Sequence, residues 1–340
     1  PKTGSLIGWF FLMAVPIGAP VAALTGAGYM AAAFGLSRGA VIATAAIMLG
    51  CALLVNFLGM KVAGMVQVAV VAAIASVLLT AVVGAVPSIE KAHFVPFMPH
   101  GWASVGQAAA LLFWCFIGWE AVSHLSEEFV DPQREAVKGV SVAAVIVGLL
   151  YFFTAFATVG TGSYGAFASS VSLVLIIERL FGTSGAIVVG ITGIFICTAT
   201  IIAYIGAASR LAYALAKEGM APEWFSRLSA RQGTPVGGLL FLAACFALVL
   251  TLYSTEIISL KTLIQLPNAT FILTYLGGCA AGIRLLRDSR LGMGISWLSF
   301  LLTAAVFPFT GWSMLYPLTI AVFCWLSWHF QKKNTSKAGR

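Results

Sequence analysis

Ten long runs of apolar residues alternate with short polar connectors along this chain. A bilayer core of about 30 Å needs about 20 mostly apolar residues for one helix to cross it, and most of the runs approach or exceed that length. The runs cover residues 6–34, 40–57, 62–86, 103–125, 140–159, 187–207, 236–253, 257–283, 295–309 and 313–328. This pattern predicts an all-α polytopic membrane protein with about ten transmembrane helices.

Basic residues in the connectors are divided unequally between the two sides of the membrane. If the N-terminus is cytoplasmic, fifteen Lys and Arg residues fall on the cytoplasmic side and four on the other side, namely Arg38, Lys91, Arg179 and Lys261. Lys and Arg concentrate on the cytoplasmic side of membrane proteins. Because one miscounted helix would exchange the sides of all later connectors, the imbalance favours ten runs and predicts that both termini are cytoplasmic.

The composition excludes several other classes of protein. Hydrophobic residues make up 60% of the chain and charged residues 9%, with a mean hydropathy of +1.00, which predicts lipid rather than water as the surrounding solvent. The net charge of +8 is scattered over connectors, so it does not indicate binding to nucleic acid. The six cysteines lie far apart in apolar runs, and therefore neither a disulfide, a metal nor another cofactor is expected.

The termini and one connector carry further expectations. The chain begins with Pro1 and enters its first run within a few residues, which is typical of a fragment of a longer protein. A serine followed by an apolar stripe predicts a short additional helix over residues 170–181. Residues 1–330 are expected to form a single transmembrane domain, followed by a basic, disordered cytoplasmic tail over 331–340.

The fourth run is the most informative segment, because Gly118 lies two residues before Glu120. A carboxylate inside a membrane is energetically costly, which makes Glu120 a candidate functional residue. Glycine weakens a helix, and a helix that is broken at membrane depth is tolerated only where it faces protein or a water-filled cavity. Transporters use such breaks to present backbone donors to a substrate carboxylate. His124 lies four residues after Glu120 and shares its helix face.

Structural explanations exist for the same residues. Glu120 is alternatively a protonated, hydrogen-bonded structural acid, although the neighbouring glycine favours a functional role. His124 is better explained by a bond to a carbonyl group or to water near the cytoplasmic end. Packing and contact with lipid explain the aromatic residues of this run equally well, namely Trp114, Phe116 and Trp119. Asn268, beside Pro267, is expected to bond a neighbouring helix rather than an ion or a substrate.

Three motifs resemble the amino acid, polyamine and organocation (APC) transporter superfamily. The first motif resembles the sixth helix of this superfamily. It consists of Phe113-Trp-Cys-Phe-Ile-Gly118 followed by Glu120-Ala121, His124-Leu125, Glu128-Phe129, Pro132 and Arg134. The loop after its eighth helix is similar to Ala208-Ser-Arg-Leu-Ala-Tyr213 with Lys217-Glu-Gly-Met-Ala-Pro222 and Gly233-Thr-Pro235. Pro16-Ile-Gly-Ala-Pro-Val-Ala22 resembles the third helix of the bacterial exporters of methionine and branched-chain amino acids. The resemblance covers essentially the whole chain.

This resemblance implies a LeuT-type fold, in which two inverted five-helix repeats are followed by two additional helices. The ten runs then correspond to helices three to twelve, and the first two helices are absent. The absent first helix is normally a second broken helix, so half of the substrate site lies outside this sequence.

The resemblance also implies roles for individual residues. Trp114 matches an aromatic lid beside the substrate, and Cys115, Phe116 and Gly118 match the unwound turn. Glu120 matches an acid used in gating and proton response, with His124 on the same face, and Tyr204 matches a substrate-facing aromatic residue. An apolar, sulfur-tolerant pocket that suits methionine, leucine, isoleucine or valine is suggested by Trp114, Cys115, Phe116, Trp119 and Tyr204.

The expected function is secondary active transport, specifically proton-coupled efflux of methionine and branched-chain amino acids across a bacterial inner membrane by alternating access. Two alternatives remain at this point, namely an uptake or exchange carrier for another neutral amino acid and a membrane channel. A channel needs continuous polar or charged rings, whereas the runs offer only scattered polar residues. An enzyme is not expected, since Glu120 and His124 have no adjacent nucleophile stronger than Ser123.

Overall fold

The computed structural model describes residues 2–59, 64–119, 131, 134–135, 137–164 and 171–338. Within these residues the chain is helical and contains no β-strand. The described ranges contain ten α-helices, which are α1 Lys2–Phe34, α2 Arg38–Phe57, α3 Gly64–Ala85, α4 Gly101–Leu112, α5 Val137–Gly160, α6 Ser172–Lys217, α7 Val236–Ser254, α8 Leu260–Leu285, α9 Arg290–Val306 and α10 Leu315–Ala338. Each of the ten apolar runs overlaps a different helix, which confirms the all-α polytopic architecture.

Eight helical stretches of the described residues are long and apolar enough to cross a membrane. One of them, Arg290–Leu326, contains two of the ten runs, because α9 and α10 are joined by a 3-10 segment that bends at Gly311 (φ 61°, ψ −135°). The fourth run corresponds to a shorter apolar helical stretch, Gly101–Phe116. The structure is therefore that of a multi-pass membrane protein.

The two longest helices, α1 and α6, form the centre of the bundle and pack together more extensively than any other pair in the described part of the chain. Small residues allow their backbones to approach closely, as at other helix interfaces in membranes. A Cβ placed on Gly190 of α6 would lie 3.0 Å from the Ala33 Cβ and 3.2 Å from the carbonyl oxygen of Tyr29 on α1. Only glycine fits this crossing without a shift of the two helices.

Helix α6 bends sharply near its start. Gly182 adopts a non-helical conformation (φ 63°, ψ −160°) that separates a short first arm from the long second arm. The short helix that the sequence predicts over residues 170–181 is therefore present from Ser172. Its buried Val174 and Ile177 pack with Ala81 and Ala85 of α3 in a satellite hydrophobic cluster.

Side-chain hydrogen bonds join α2 to α6 and α1 to the loop that follows α6. The indole of Trp9 donates to the carbonyl oxygen of Met220 at 3.0 Å, and the amide of Asn56 donates to that of Ile202 at 3.0 Å. Buried polar groups in an apolar environment need such partners. The bonds make α1, α2 and the second arm of α6 one framework beside α4.

The last helix, α10, extends beyond its apolar run. Its backbone is helical to Ala338 and so includes the first polar residues after 330. Leu, Trp and Phe residues supply the apolar run over 313–328. The helix continues into the Lys-rich segment after it because Gln, Lys and Ala are good helix formers.

Candidate functional site

Helix α4 is broken within the fourth apolar run. Its α-helical part ends at Leu112, and a 3-10 turn covers Phe113–Phe116. Ile117 is extended (φ −66°, ψ 129°), and Gly118 has a φ of 117°, a conformation that L-amino acids rarely adopt. The α-helical part therefore ends before Gly118, as the sequence predicts, and it does so several residues earlier than the glycine itself.

Three side chains from other helices donate hydrogen bonds to backbone carbonyl groups near the end of α4. These carbonyl groups lie where the regular α-helical hydrogen bonds stop. The side-chain amide nitrogen of Asn268 on α8 donates to the carbonyl oxygens of Ala110 at 3.2 Å and Leu111 at 3.0 Å. This confirms the expected helix–helix role of Asn268. The broken segment thereby keeps its last turn of α4 bonded although the next α-helical turn is missing.

Two tyrosine hydroxyl groups continue this arrangement along the 3-10 turn. The hydroxyl of Tyr151 on α5 donates to the carbonyl oxygen of Cys115 at 2.8 Å, and that of Tyr275 on α8 donates to that of Phe116 at 2.8 Å. Sequence reasoning did not single out either tyrosine. The available signal was a phenol inside an apolar run, since a tyrosine hydroxyl in such surroundings usually has a hydrogen-bond partner.

One face of the broken segment lies against the central helices. A Cβ placed on Gly18 of α1 would lie 3.5 Å from the Trp114 ring, and one placed on Gly118 would lie 3.2 Å from the Tyr204 hydroxyl oxygen. Tyr204 in turn stacks on Phe11 of α1, with ring centroids 6.0 Å apart and an interplanar angle of 17°. Of the residues predicted to face a substrate, Trp114 therefore faces α1, and Gly118 lies beside Tyr204 of α6.

The remaining predicted residues lie elsewhere around the break. Phe116 and Trp119 line an apolar cavity of about 450 Å³ with Tyr275 and Val306, at the side of α4 that faces α8 and α9. Cys115 is exposed, and its carbonyl group is the one that Tyr151 bonds. Of the five residues expected to form one pocket, Trp114 faces α1 and Tyr204 lies on α6, whereas Phe116 and Trp119 line the cavity on the α8 and α9 side.

Glu120 and His124, the predicted coupling and gating residues, lie outside the described residues. The face formed by Trp114, Gly118 and Tyr204, together with Phe11, consists of uncharged residues. Within the described ranges, no group of three or more His, Cys, Asp or Glu side chains is placed to hold a metal ion. The described residues of the site therefore form an uncharged, largely aromatic contact of α4 with α1 and α6.

Comparison of the sequence with known proteins identifies the family of this chain. Residues 1–337 match the family model described as amino acid permease. The chain belongs to this amino acid permease family. The resemblance to the APC transporter superfamily is thereby confirmed, and family membership indicates an amino acid as the class of substrate and a membrane as the environment.

Relatives of the permease come from several bacteria. The protein named uncharacterized amino acid permease YecA of Bacillus subtilis strain 168 is 37% identical over 320 residues, which are 94% of this chain and 76% of that protein. The L-methionine/branched-chain amino acid exporter YjeH of Escherichia coli K12 is 30% identical over 340 residues, or 98% of this chain and 78% of that protein. The branched-chain amino acid permease BcaP of Bacillus subtilis is 29% identical over 197 residues, or 57% and 42%. All three are named as transport proteins.

Proposed function

We propose that this permease is a proton-coupled exporter of methionine and branched-chain amino acids that works by alternating access. The observation that carries the proposal is the end of the α-helical part of α4 at Leu112, followed by a 3-10 turn and the positive φ of Gly118, beside aromatic residues of α1 and α6. A helix broken at membrane depth supplies backbone groups to a substrate near the bilayer midplane. The relative named as an L-methionine/branched-chain amino acid exporter supports this choice of substrates and direction.

The aromatic residues around the end of α4 suit a substrate with an uncharged, apolar side chain. Trp114, Tyr204 and Phe11 provide aromatic surface, which binds aliphatic and thioether groups favourably. A cationic side chain would need a carboxylate for compensation, because an unpaired charge in such surroundings is costly. Cys115, Phe116 and Trp119 contribute the unwound turn and its far side, and the proposed substrate contacts concentrate on Trp114, Gly118 and Tyr204.

Orientation, domain organisation and coupling complete the proposal. The single transporter domain comprises residues 1–330, corresponds to helices three to twelve of the LeuT-type fold, and lies in a bacterial inner membrane. Both termini and the basic segment 331–340 are cytoplasmic, as the distribution of Lys and Arg predicts. Glu120 carries the coupled proton, and His124 on the same helix face assists gating. Substrate and protons are the soluble partners.

The substrate contacts are tested with Trp114→Ala. Loss of the indole beside Gly18 should weaken binding of leucine and methionine, because apolar area on the substrate is no longer covered. Binding of radiolabelled leucine to the purified protein measures this effect. Trp297→Ala is the matched control, since Trp297 is 48% exposed and lies on α9, outside the contact of α4 with α1 and α6. Equal leucine affinity of Trp114→Ala and Trp297→Ala contradicts the assignment.

Proton coupling is tested with Glu120→Gln, which keeps the shape of the side chain and removes its titration. Efflux from proteoliposomes should lose its dependence on an inward pH gradient, while substrate counterflow without a gradient persists. Glu178→Gln, an exposed acid on the first arm of α6, is the control and should leave gradient-driven efflux intact. If efflux by Glu120→Gln still responds fully to the pH gradient, Glu120 is not part of the coupling mechanism.

A second candidate is uptake or exchange of a neutral amino acid, and the names of two relatives as permeases favour it. Comparing the amino acids retained by cells with and without the gene separates the two directions. Accumulation of methionine or branched-chain amino acids in cells without the gene supports export, and depletion supports uptake. Saturable counterflow in proteoliposomes distinguishes either carrier from a channel.

A further inference from the structure

The connector between α6 and α7, residues 218–235, is bonded to the helices around it. The indole of Trp9 on α1 donates to the carbonyl oxygen of Met220 at 3.0 Å. The hydroxyl of Thr234 donates to the carbonyl oxygen of Phe57, the last residue of α2, at 3.0 Å. The connector is therefore fixed to α1 near its beginning and to α2 near its end.

Backbone hydrogen bonds place two arginines of this connector beside the start of α7. The amide of Ser229 donates to the carbonyl oxygen of Thr234 at 2.8 Å, which closes a compact turn that contains Arg231. The amide of Gly237, in the first turn of α7, donates to the carbonyl oxygen of Arg227 at 3.3 Å. Both arginines thus belong to a defined surface next to α7.

The same connector presents an aromatic side chain at the end of a membrane-spanning helix. Its 3-10 turn Glu223–Ser226 buries Phe225, which is 2% exposed, and leaves Trp224 40% exposed. The Trp224 ring packs edge-on against Phe241 of α7, with ring centroids 6.5 Å apart. Leu240, the neighbour of Phe241, is 63% exposed on a helix long and apolar enough to cross a membrane. Trp224 therefore continues the lipid-facing surface of α7 into the connector.

The charge on this surface has one sign. Arg227 and Arg231 are the only charged residues between positions 224 and 255, and both are exposed. Within the described part of the chain, neither arginine takes part in an ion pair. A guanidinium group presents a planar set of donors that matches the oxygens of a phosphate group. The surface therefore combines two unpaired phosphate-binding groups with an aromatic side chain at the edge of the membrane.

The connector between α8 and α9 offers a different surface, although the sequence predicts it on the same side of the membrane. It carries Arg284, Arg287 and Arg290, but Asp288 lies among them and competes for their charge. Residues 276–296 contain no aromatic residue. Trp is enriched where membrane and water meet, so its presence distinguishes the first connector from the second. The two connectors provide a matched comparison of basic surfaces.

We propose that Trp224, Arg227 and Arg231 form a binding site for an anionic phospholipid of the adjoining leaflet. The two arginines pair with the phosphate group of the lipid. Trp224 lies against the first carbons of its acyl chains, together with Leu228, which is 46% exposed. Basic residues next to a membrane attract anionic lipids, and a phospholipid joins a phosphate group to hydrocarbon as this surface requires. The proposal rests on the proposed function only in placing this connector on the cytoplasmic side.

A lipid bound here acts on the helices that surround the candidate site. The connector directly follows α6, which carries Tyr204, and it is bonded to α1, which carries Phe11 and Gly18. A ligand that binds the folded protein stabilises the arrangement to which it binds. We therefore expect anionic lipid to raise the thermal midpoint of the protein and to hold α1, α2 and α6 together.

The test measures the affinity of the purified protein for phosphatidylglycerol by native mass spectrometry in detergent micelles, with phosphatidylcholine as the reference lipid. The double variant Arg227→Gln/Arg231→Gln should bind phosphatidylglycerol about tenfold or more weakly, because two charge-assisted contacts are lost. It should also lose most of the rise in thermal midpoint that phosphatidylglycerol causes. Its affinity for phosphatidylcholine should stay close to that of the unmodified protein. Arg287→Gln/Arg290→Gln is the matched control, since it removes the same charge from the other connector.

Three results would overturn the proposal. Unchanged phosphatidylglycerol affinity of Arg227→Gln/Arg231→Gln shows that these arginines do not bind the lipid. An equal loss of affinity in the control variant shows general attraction to a basic face rather than a site. Glycerol phosphate that competes with phosphatidylglycerol at equal concentration shows a site for soluble phosphate, in which the hydrocarbon and Trp224 play no part. Strong competition by phosphatidylglycerol and weak competition by glycerol phosphate support the lipid site.

Failure of this site and failure of the proposed function give different results. Leucine counterflow in proteoliposomes of phosphatidylcholine tests the transport proposal without any anionic lipid. If counterflow is absent while phosphatidylglycerol binding depends on Arg227 and Arg231, the proposed substrate class is wrong and the lipid site stands. If counterflow is present and phosphatidylglycerol binds all variants equally, the transport proposal stands and the lipid site is rejected.

Discussion

Replacing Gly118 with alanine tests whether the break in α4 is required for transport. Gly118 has a φ of 117°, and an added Cβ would lie 3.2 Å from the Tyr204 hydroxyl oxygen. An L-residue in a left-handed conformation costs about 1–2 kcal/mol, and the close contact with Tyr204 adds to that cost. A cost of this size reduces the population of the broken conformation by about fivefold to thirtyfold. Counterflow should fall by a similar factor.

Gly148→Ala on α5 is the matched control for this experiment. An added Cβ at Gly148 meets no heavy atom within 4 Å, so the substitution changes helix propensity without a clash. Both variants are reconstituted at equal amounts of monodisperse protein, and leucine counterflow and the thermal midpoint are measured. We expect Gly148→Ala to match the unmodified protein in counterflow and to melt no earlier. Equal counterflow of Gly118→Ala and Gly148→Ala would refute the requirement for a positive φ in the unwound turn.

Two further substitutions address the bonds and the packing that position the break. Tyr275→Phe removes the bond to the Phe116 carbonyl oxygen, which is worth about 0.5–1.5 kcal/mol, so counterflow should fall by about twofold to tenfold while the fold is retained; an unchanged rate would show that this bond does not orient the turn. Gly190→Ala forces a methyl group against Tyr29 and Ala33 and should lower the free energy of unfolding in a detergent titration by about 1–3 kcal/mol. Stability equal to that of Gly148→Ala would show that α1 and α6 separate there without cost.

The sequence predicts the helices well because their signals are local. An apolar run of about 20 residues needs no information from the rest of the chain to be recognised as a membrane helix. The short helix before Gly182 is likewise visible from its serine start and apolar stripe. The end of α10 is harder to predict, since polar residues of high helix propensity continue the helix without an apolar signal.

The candidate site is predicted less completely because it depends on contacts between distant segments. Gly118 marks a break, but the end of the α-helical part at Leu112 depends on Asn268, which lies 156 positions later in the chain. The hydrogen bonds of Tyr151 and Tyr275 to the 3-10 turn likewise join segments far apart in the chain. Neither feature is encoded in the spacing of apolar residues.

The hydrogen bonds around the break also indicate which helices move together. Moving α4 away from α8 requires breaking the buried bonds of Asn268 to Ala110 and Leu111, which costs free energy unless both carbonyl groups find new donors. Toward α1, by contrast, the Trp114 ring meets Gly18 through van der Waals contact, which permits small sliding motions of packed helices. We therefore expect the first part of α4 to move with α8 and to slide against α1. The contact between Trp114 and α1 would then open and close while the 3-10 turn keeps its conformation.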